Sequence, residues 1–209
     1  MGIYATYVFP WILDRVMRQE PVRRQREKVV PRAAGDVLEI GVGSGLNLGL
    51  YDPAKVTRLR ALDPSAELQR LARPRAEAAA VPVELLTASA EEIPLESASI
   101  DTVVITYTMC SIPAVDQALR EMHRVLRPGG YAVIQDLNHA ATGSDIDREV
   151  AGMDVGVVAG FTVRRTLAWL RRRAFTREQF ETLAAESAFG GCSVTTHGIG
   201  LEVRLTKAG

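Results

Sequence analysis

"VLEIGVGSGLNLGLYD", residues 37–52, decides the fold of this chain. An apolar run reaches Glu39, glycines follow at positions 41, 43 and 45, and the next residues read as a helix. A strand, a glycine turn and a helix N-terminus together form a cradle for a nucleotide-like ligand. The stretch therefore predicts a ligand site directly after the first strand.

Length and composition predict one globular domain. The chain has 209 residues, 47% of them hydrophobic, which is enough for a sizeable core but not for two comfortable domains. Its two cysteines, Cys110 and Cys192, form no disulfide framework, which indicates a reducing, cytoplasmic location. The three histidines lack metal-ligand spacing, so no metal site is predicted. No apolar run approaches the roughly 20 residues that span a bilayer, and no signal peptide is apparent.

The net charge is zero, but the charges are unevenly distributed. Residues 1–35 hold seven Lys/Arg against three Asp/Glu, and residues 161–177 hold six Arg and no acid. Segments of this kind either meet anions, lipid head groups or acidic substrates, or are solvated arginine-rich helix faces.

Strands and helices alternate along the chain. Residues 4–30 read as one or two amphipathic helices, interrupted at Pro10 and Pro21. The strand-like segments are 36–40, 57–63, 82–88, 99–107, 131–137, 192–197 and 200–207. The helix-like ones are 46–52, 64–80, 115–126, an irregular stretch over 141–174, and 176–187, where Thr176 and Gln179 have capping-box spacing.

This alternation predicts a doubly wound α/β sheet of the Rossmann-like kind, with helices on both faces. The last two strands are too close together for a crossover helix, so they must form an antiparallel hairpin. We therefore expect a seven-stranded, mostly parallel sheet with a C-terminal antiparallel hairpin strand.

The glycines allow three ligands to be compared. A nucleoside triphosphate site needs a lysine after the glycines, and none is present. A dinucleotide fingerprint needs Gly or Ala three residues after Gly43, where this chain has Leu46, which argues against NAD without settling the matter. Glu39 would repel a pyrophosphate but suits the ammonium and sulfonium of S-adenosylmethionine. Asp63, at the end of the second strand, suits the ribose hydroxyls of either cofactor.

Four motifs carry a resemblance to a known family. "VLEIGVGSG", "LDPS", "SAEEIPLESASIDTVVITYTMCSI" and "ALREMHRVLRPGGYAVI" occur in this order within residues 36–136. They resemble the successive motifs of class I S-adenosylmethionine-dependent methyltransferases, and "RVLRPGG" is typical of the small-molecule, methyltransferase type 11-like branch. "TMCSI" together with "RVLRPGG" is similar, more loosely, to alkyl-thiol methyltransferases.

The resemblance implies a role for nine residues. Those around the methionine moiety would be Glu39, Gly41, Gly43 and Gly45. Asp63 would hold the ribose hydroxyls, with Pro64 beside the adenine. Ala90 and Glu91 would lie against the edge of the adenine. Thr106 would lie near the sulfonium. It also implies one methyltransferase domain over residues 1–209. Its expected parts are a helical lid (1–30), a cofactor-binding core (36–137), a helical acceptor or lid insert (141–174), and a C-terminal helix with hairpin (175–209).

The acceptor side is less well defined by the sequence. Asp136 and His139, after the fifth strand, are the candidates for a general base, and we expect one of them to face the acceptor. Cys110 occupies a place where relatives often have His, and it is expected to be a pocket wall or plain core.

The acceptor itself is expected to be a small molecule with a thiol, amine or hydroxyl group. An alternative is phosphatidylethanolamine at a membrane surface, contacted through the basic segments 1–30 and 141–174. Another is a cofactor-binding scaffold without turnover. Motifs of enzymes that methylate nucleic acid are missing, which argues against such partners. The sequence settles neither the acceptor atom nor the oligomeric state.

Overall fold

The computed structural model describes residues 17–153 and 156–209. Its strands are β1 (Gly35–Ile40), β2 (Val56–Leu62), β3 (Val83–Leu86), β4 (Ile100–Thr106), β5 (Leu126–Leu137), β6 (Ser193–His197) and β7 (Gly200–Thr206). They form one sheet in the order β3-β2-β1-β4-β5-β7-β6. Strands β1 to β5 run parallel, and β7 pairs antiparallel with both β5 and β6. The predicted fold class is confirmed.

The helices of the described residues are α1 (Glu20–Val29), α2 (Ala66–Glu77), α3 (Val115–Val125), α4 (Gly143–Ala151), α5 (Val157–Arg171) and α6 (Arg177–Glu186). The predicted capping box of α6 is present, because Gln179 N–H donates to Thr176 Oγ1 and Thr176 N–H donates to Gln179 Oε1. Thr142 and Asp145 form the same arrangement at α4. Each box satisfies N–H groups that have no partner within the helix.

The prediction of a helix over residues 46–52 is wrong. These residues form only a single 3₁₀ turn at Leu48–Leu50. Gly49 favours a helix poorly, and Gly45 has a φ of +84°, which a right-handed helix cannot contain. The turn instead lets Asn47 and Tyr51 reach the buried Glu39. Buried side-chain hydrogen bonds therefore decide the local conformation here.

Other boundaries also differ from those predicted. The predicted interruption lies at Arg18 and Gln19, and α1 begins at Glu20 with Pro21 in its first turn, where proline is tolerated. Pro64 precedes the N-cap Ser65 of α2 instead of lying in the helix. Strand β5 begins at Leu126, because the chain at Gly129 and Gly130 exchanges backbone hydrogen bonds with Lys207. Predicted helix before residue 17 lies outside the described residues.

The core occupies both faces of the sheet. Leu38 and Ile40 of β1 pack on one face with Met122 of α3, and Val37 packs on the other with Val29 of α1. Successive residues of a strand point to opposite faces, so β1 is buried on both sides. This explains why its buried part, Val37–Ile40, is apolar apart from Glu39.

Helices α4 and α5 fall within the predicted insert at 141–174. Ile146 of α4 and Leu167 of α5 form a third apolar cluster with Leu137, the last residue of β5. This cluster fixes the two helices beside the carboxyl end of β5. Among the described helices, none combines the length and the apolarity that crossing a bilayer requires.

Candidate active site

A cavity of about 490 Å³ opens where β1, β2, β4 and β5 end. Nine of the residues predicted from the sequence line it: Glu39, Gly41, Gly43, Asp63, Pro64, Ala90, Glu91, Thr106 and Asp136. Gly45 and His139 are not part of its lining. Helix α1 supplies Arg26 to the wall, helix α5 supplies Trp169, and the turn after α5 supplies Arg173. The topology thus gathers side chains from distant segments around one space.

The glycine turn needs its glycines for different reasons. Gly41 has a φ of +78°, and a Cβ there would collide with the side chain of Thr108. Gly43 has a φ of +55°, and a Cβ there would meet nothing closer than Gly41 O at 4.0 Å, so this backbone is open to the cavity. A Cβ at Gly45 would lie too close to Leu48 and Ala72, so the absence of a side chain lets the turn pack closely on α2.

Replacing Gly41 by alanine is expected to lower the free energy of unfolding by about 3 kcal/mol, because a left-handed conformation and a steric collision both add to the cost. Gly129→Ala is the matched control, since Gly129 has a φ of +77° but no atom within 4 Å of its added Cβ. That control is expected to cost only about 1 kcal/mol. Denaturant unfolding of both variants measures the difference. Equal losses of unfolding free energy in the two variants would show that the Thr108 side chain moves aside without destabilising the fold.

Glu39 is buried at the carboxyl end of β1. Asn47 Nδ2 donates to Glu39 Oε1, and the Tyr51 hydroxyl donates to Oε2, both at 2.9 Å. Burial raises the pKa of Glu39 to about 7, although these two hydrogen bonds and the charge of Arg26 lower it. Glu39 therefore holds the residues behind the glycine turn, and a cation in the cavity would further favour its charged form.

Several buried polar atoms have no hydrogen-bond partner in the part of the chain that the structure describes, and two of them, of opposite character, belong to residues that line the cavity. Arg26 Nη2 donates to Met17 O at 2.8 Å, but the Nε–H of this side chain donates to nothing there. Asn47 Nδ2 donates to both Glu39 and Thr106, whereas its Oδ1 accepts nothing. Both side chains line the cavity. An open cationic donor and an open acceptor together suit a ligand that carries a carboxylate and an ammonium group.

Asp63 follows β2 directly and is buried. Gly43 N–H donates to its Oδ2 and Ser65 N–H donates to its Oδ1, both at 2.9 Å. Burial raises the pKa of Asp63, and the two backbone donors oppose this shift. Each carboxylate oxygen keeps a second lone pair, so Asp63 can hold the glycine turn and also accept hydrogen bonds from a diol in the cavity.

Glu91 connects two loops at the edge of the cavity. Ala114 N–H donates to Glu91 Oε1 at 3.2 Å, and the Ser89 hydroxyl donates to Oε2. These bonds tie the loop after β3 to the residue that precedes α3. Glu91 thus has a structural task, while the buried Ala90 beside it supplies apolar wall.

Asp136 lies buried near the carboxyl end of β5. Met109 N–H donates to its Oδ2 at 3.1 Å, and Leu137 N–H donates to its Oδ1 at 2.7 Å. Burial raises the pKa of Asp136 to about 7, even though backbone donors favour the charged form. Burial and the charge of Asp136 also raise the pKa of the Cys110 thiol. Asp136 can therefore exchange a proton at neutral pH, whereas Cys110, which also lines the cavity, stays a thiol.

His139 lies apart from this group. Its side chain is exposed, and its Nδ1 lies 3.1 Å from Arg171 O. Of the two candidates for a general base, the structure thus brings Asp136 to the cavity and leaves His139 outside its lining.

Some residues of the cavity are absent from the sequence-based prediction. Arg26 gave no signal, because an arginine destined for burial looks like the solvated arginines around it in the sequence. Tyr107 has an uncommon φ of +55° for a residue other than glycine, and its side chain also lines the cavity. Trp169 and Arg173 fall in the segment 141–174 that is predicted to contact the acceptor, but only the packing of α5 shows that these two side chains line the cavity.

Comparison with known proteins agrees with this architecture. Residues 38–134 match the family described as a methyltransferase domain. The chain is 35% identical over 108 residues to the ubiquinone/menaquinone biosynthesis C-methyltransferase UbiE of Rubrivivax gelatinosus, covering 52% of this chain and 41% of that protein. It is 36% identical over 124 residues to a phosphatidylethanolamine N-methyltransferase of Cereibacter sphaeroides, covering 58% and 59% respectively.

The human thiol S-methyltransferase TMT1B is a further relative, 37% identical over 103 residues that cover 47% of this chain and 41% of that protein. The chain thus spans between 41% and 59% of the length of these three relatives. Each of them is named as a methyltransferase, but the acceptors in their names differ.

Two solved structures share the fold. A methyltransferase from Thermotoga maritima superposes with a TM-score of 0.66 at 21% identity, covering 98% of this chain and 96% of that one. The plantazolicin methyltransferase BpumL, solved with S-adenosylhomocysteine, has a TM-score of 0.75 at 14% identity, covering 99% and 92%. Residues 38–134 of this chain therefore match a methyltransferase domain, and the chain shares the fold of solved methyltransferases, one of them in complex with S-adenosylhomocysteine.

Proposed function

We propose that this chain transfers the methyl group of S-adenosylmethionine to a small, largely apolar acceptor whose nucleophilic atom carries a proton, as thiols and phenol-type hydroxyls do. The observation that carries the proposal is Asp136, a carboxyl with a pKa of about 7 in the wall of the cavity. S-adenosylmethionine, when bound, supplies an electrophilic methyl group on a sulfonium. The tasks left to the chain are to orient the acceptor, exclude water and take up a proton.

The residues that would hold the cofactor fit its chemical groups. Asp63 offers carboxylate lone pairs to the ribose hydroxyls, and Gly43 lets the ligand approach the backbone. Arg26 and Asn47 offer the open donor and the open acceptor for the carboxylate and the ammonium of the methionine moiety. Glu39 adds negative charge behind Asn47. The cavity volume also falls within the roughly 300–1,000 Å³ usual for ligand sites.

The remaining wall of the cavity supports an apolar acceptor. Ile112, Leu137 and Leu170 give it aliphatic surface, and Tyr107 and Trp169 give it aromatic surface. Such walls exclude water from the acceptor and keep the carboxyl of Asp136 desolvated, which is the cause of its raised pKa.

In the proposed reaction the Asp136 carboxylate would accept the proton of the acceptor while the acceptor's lone pair forms a bond to the methyl carbon, the carbon–sulfur bond breaks, and S-adenosylhomocysteine leaves. The amide donors of Met109 and Leu137 keep the carboxylate in place, and its other lone pairs stay available to the acceptor. The similarity to a thiol S-methyltransferase supports a thiol acceptor, and the similarity to a C-methyltransferase of quinone biosynthesis supports a small, largely apolar acceptor molecule.

Calorimetric titration with S-adenosylhomocysteine, run beside NAD, tests the cofactor part of the proposal. Binding of the first alone is expected, followed by turnover of apolar thiols or phenols in an acceptor screen. Binding without turnover of any thiol, phenol or amine would favour a cofactor-binding scaffold. Binding of NAD would contradict the argument from Glu39 and Leu46.

Replacing Arg26 by glutamine is expected to weaken S-adenosylhomocysteine binding by about tenfold, because a charge-assisted hydrogen bond to the ligand's carboxylate is lost. Calorimetry with 5′-methylthioadenosine, which lacks the amino-acid part, is expected to give the same affinity for the variant and the parent chain. Arg24→Gln is the control, since Arg24 is exposed and pairs with Glu20 in the same helix. Equal losses for both ligands would mean that Arg26 only supports the fold.

A second candidate acceptor is the amine of phosphatidylethanolamine. The observation in its favour is the basic, aromatic surface of α5 beside the cavity, together with the similarity to the phosphatidylethanolamine N-methyltransferase. Including this lipid in vesicles in the acceptor screen distinguishes the two candidates. Methylation of the lipid amine, with thiols and phenols untouched, would replace the first proposal.

A further inference from the structure

Helix α5 exposes large aromatic side chains on the side that faces away from the core. Val163 and Leu167 are buried in the cluster that fixes α5 to the protein. In contrast, Phe161 is 59% exposed and Trp169 is 42% exposed. Burying such side chains stabilises a fold, so two of them at the surface of one helix mark a contact surface.

The exposed aromatics share one side of the helix with arginines. Phe161, Arg165 and Trp169 follow each other at steps of four residues, which places them on one face of α5. Arg172, the C-cap of α5, has a helical backbone conformation and continues the same face. Arg165 lies over the ring of Phe161 at 5.7 Å, and Arg173 lies over the ring of Trp169 at 5.1 Å. We call these five residues the α5 surface.

The charged residues of the segment 161–177 are all positive. Residues 161–177 contain six arginines and no acidic residue. Arg164 pairs with Asp147 of α4, but Arg164 lies to the side of the α5 surface. Arginines beside exposed Phe and Trp are the composition of helices that lie in a bilayer interface, where rings enter the head-group region and guanidinium groups bind lipid phosphates.

The α5 surface is also continuous with the cavity. Trp169 and Arg173 belong to the cavity lining as well as to the surface, and Leu170 lies between them. A lipid bilayer in contact with this surface would therefore adjoin the cavity, and an amphiphilic acceptor could enter from it without crossing bulk water.

We propose that the α5 surface docks this protein on an anionic lipid bilayer and thereby presents acceptors that partition into the bilayer to the cavity. The membrane docking is inferred from the α5 surface alone. The delivery of acceptors to the cavity also rests on the proposed function. Membrane docking is measured without turnover, so the two can fail separately.

Tryptophan fluorescence of the full chain carrying Trp11→Phe tests the docking, because Trp169 is then the only tryptophan. Vesicles of phosphatidylcholine with phosphatidylglycerol are expected to shift its emission to shorter wavelength, and high salt to reverse the shift. Vesicles of phosphatidylcholine alone are expected to have a much smaller effect.

A triple variant, Phe161→Ser with Arg165→Gln and Arg172→Gln, tests the surface by vesicle co-sedimentation. None of these three residues lines the cavity. We expect binding to anionic vesicles to weaken by about tenfold or more, with S-adenosylhomocysteine affinity unchanged. The matched control is Leu71→Ser with Arg70→Gln and Arg73→Gln on α2, where another exposed large apolar side chain lies between exposed arginines.

Equal vesicle binding by the triple variant, the control and the parent chain would overturn the proposal, as would a lack of binding to anionic vesicles. So would Trp169 emission that is already shielded from iodide without lipid, since the surface would then be covered by protein. Salt-sensitive RNA binding without vesicle binding would assign the α5 surface to nucleic acid and equally overturn membrane docking.

Discussion

Asp136→Asn is expected to lower kcat for a thiol or phenol acceptor by about 100-fold, the lower end of the contribution of a positioned general base. Asparagine keeps the size of the side chain, but it cannot take up the proton of the acceptor. Binding of S-adenosylhomocysteine is expected to change little, because the side chain of Asp136 accepts hydrogen bonds from Met109 N–H and Leu137 N–H, and neither residue is among the proposed cofactor residues. Steady-state kinetics and calorimetry on the same preparation measure the two effects.

The pH dependence adds a readout that a purely structural role of Asp136 would not produce. Only the deprotonated carboxylate acts as a base, so activity of the parent chain is expected to rise with pH. The pKa of Asp136 is about 7 without cofactor, and a positive sulfonium nearby can only lower it. The midpoint should therefore lie at or below about pH 7. The activity of the Asp136→Asn variant should not show this rise with pH.

His139→Ala is the matched control for this prediction. The exposed imidazole of His139 lies outside the cavity lining, so its removal is expected to leave kcat and its pH profile unchanged. Normal turnover in both Asp136→Asn and His139→Ala would remove the idea that either residue acts as a base. Loss of activity in His139→Ala alone would assign the role to the histidine.

Asp63→Asn is expected to raise the dissociation constant of S-adenosylhomocysteine by about 100-fold, which corresponds to about 2.7 kcal/mol. The amide loses the charge-assisted hydrogen bonds that Asp63 is proposed to make to the ribose hydroxyls. It also turns an NH₂ group toward the backbone donor of Gly43 or of Ser65, each of which now donates to the carboxylate. Calorimetry measures the affinity, and thermal unfolding reports whether the chain is still folded.

Asp101→Asn provides the comparison for Asp63. Asp101 also accepts a backbone hydrogen bond, from Asp36 N–H at 2.8 Å, and it pairs with Arg127 at 2.6 Å. It lies at the opposite end of the sheet, near the start of β4, away from the cavity. Unchanged cofactor affinity in Asp101→Asn and a large loss in Asp63→Asn is the expected pair of results. Similar affinity in both variants would contradict the proposed role of Asp63.

Much of this architecture could be predicted from the sequence, because it depends on local patterns. The alternation of apolar strands with amphipathic helices gave the parallel sheet, and the short turn at 198–200 required the antiparallel hairpin. The capping box of Thr176 and Gln179 depends only on residues three positions apart. The glycines at 41, 43 and 45 each adopt a positive φ, as a tight turn after a strand requires.

The tertiary structure alone decided the chemistry of the cavity. Residues 46–52 have a helical pattern, yet long-range burial of Glu39 recruits Asn47 and Tyr51 and leaves a single 3₁₀ turn. Asp136 and His139 are three residues apart and equally plausible in the sequence, but only one of them faces the cavity. A pKa depends on desolvation and on neighbours that are distant in the chain, so no local pattern could predict it.

The same reason applies to helices α1 and α5. The sequence predicts a lid over residues 1–30 and an acceptor or lid insert over residues 141–174, but it does not show which of their side chains reach the cavity. Only their packing against the sheet buries Arg26 beside Glu39 and places Trp169 at the cavity with its ring exposed. Local periodicity thus determined which elements form, whereas long-range burial determined which side chains became binding groups.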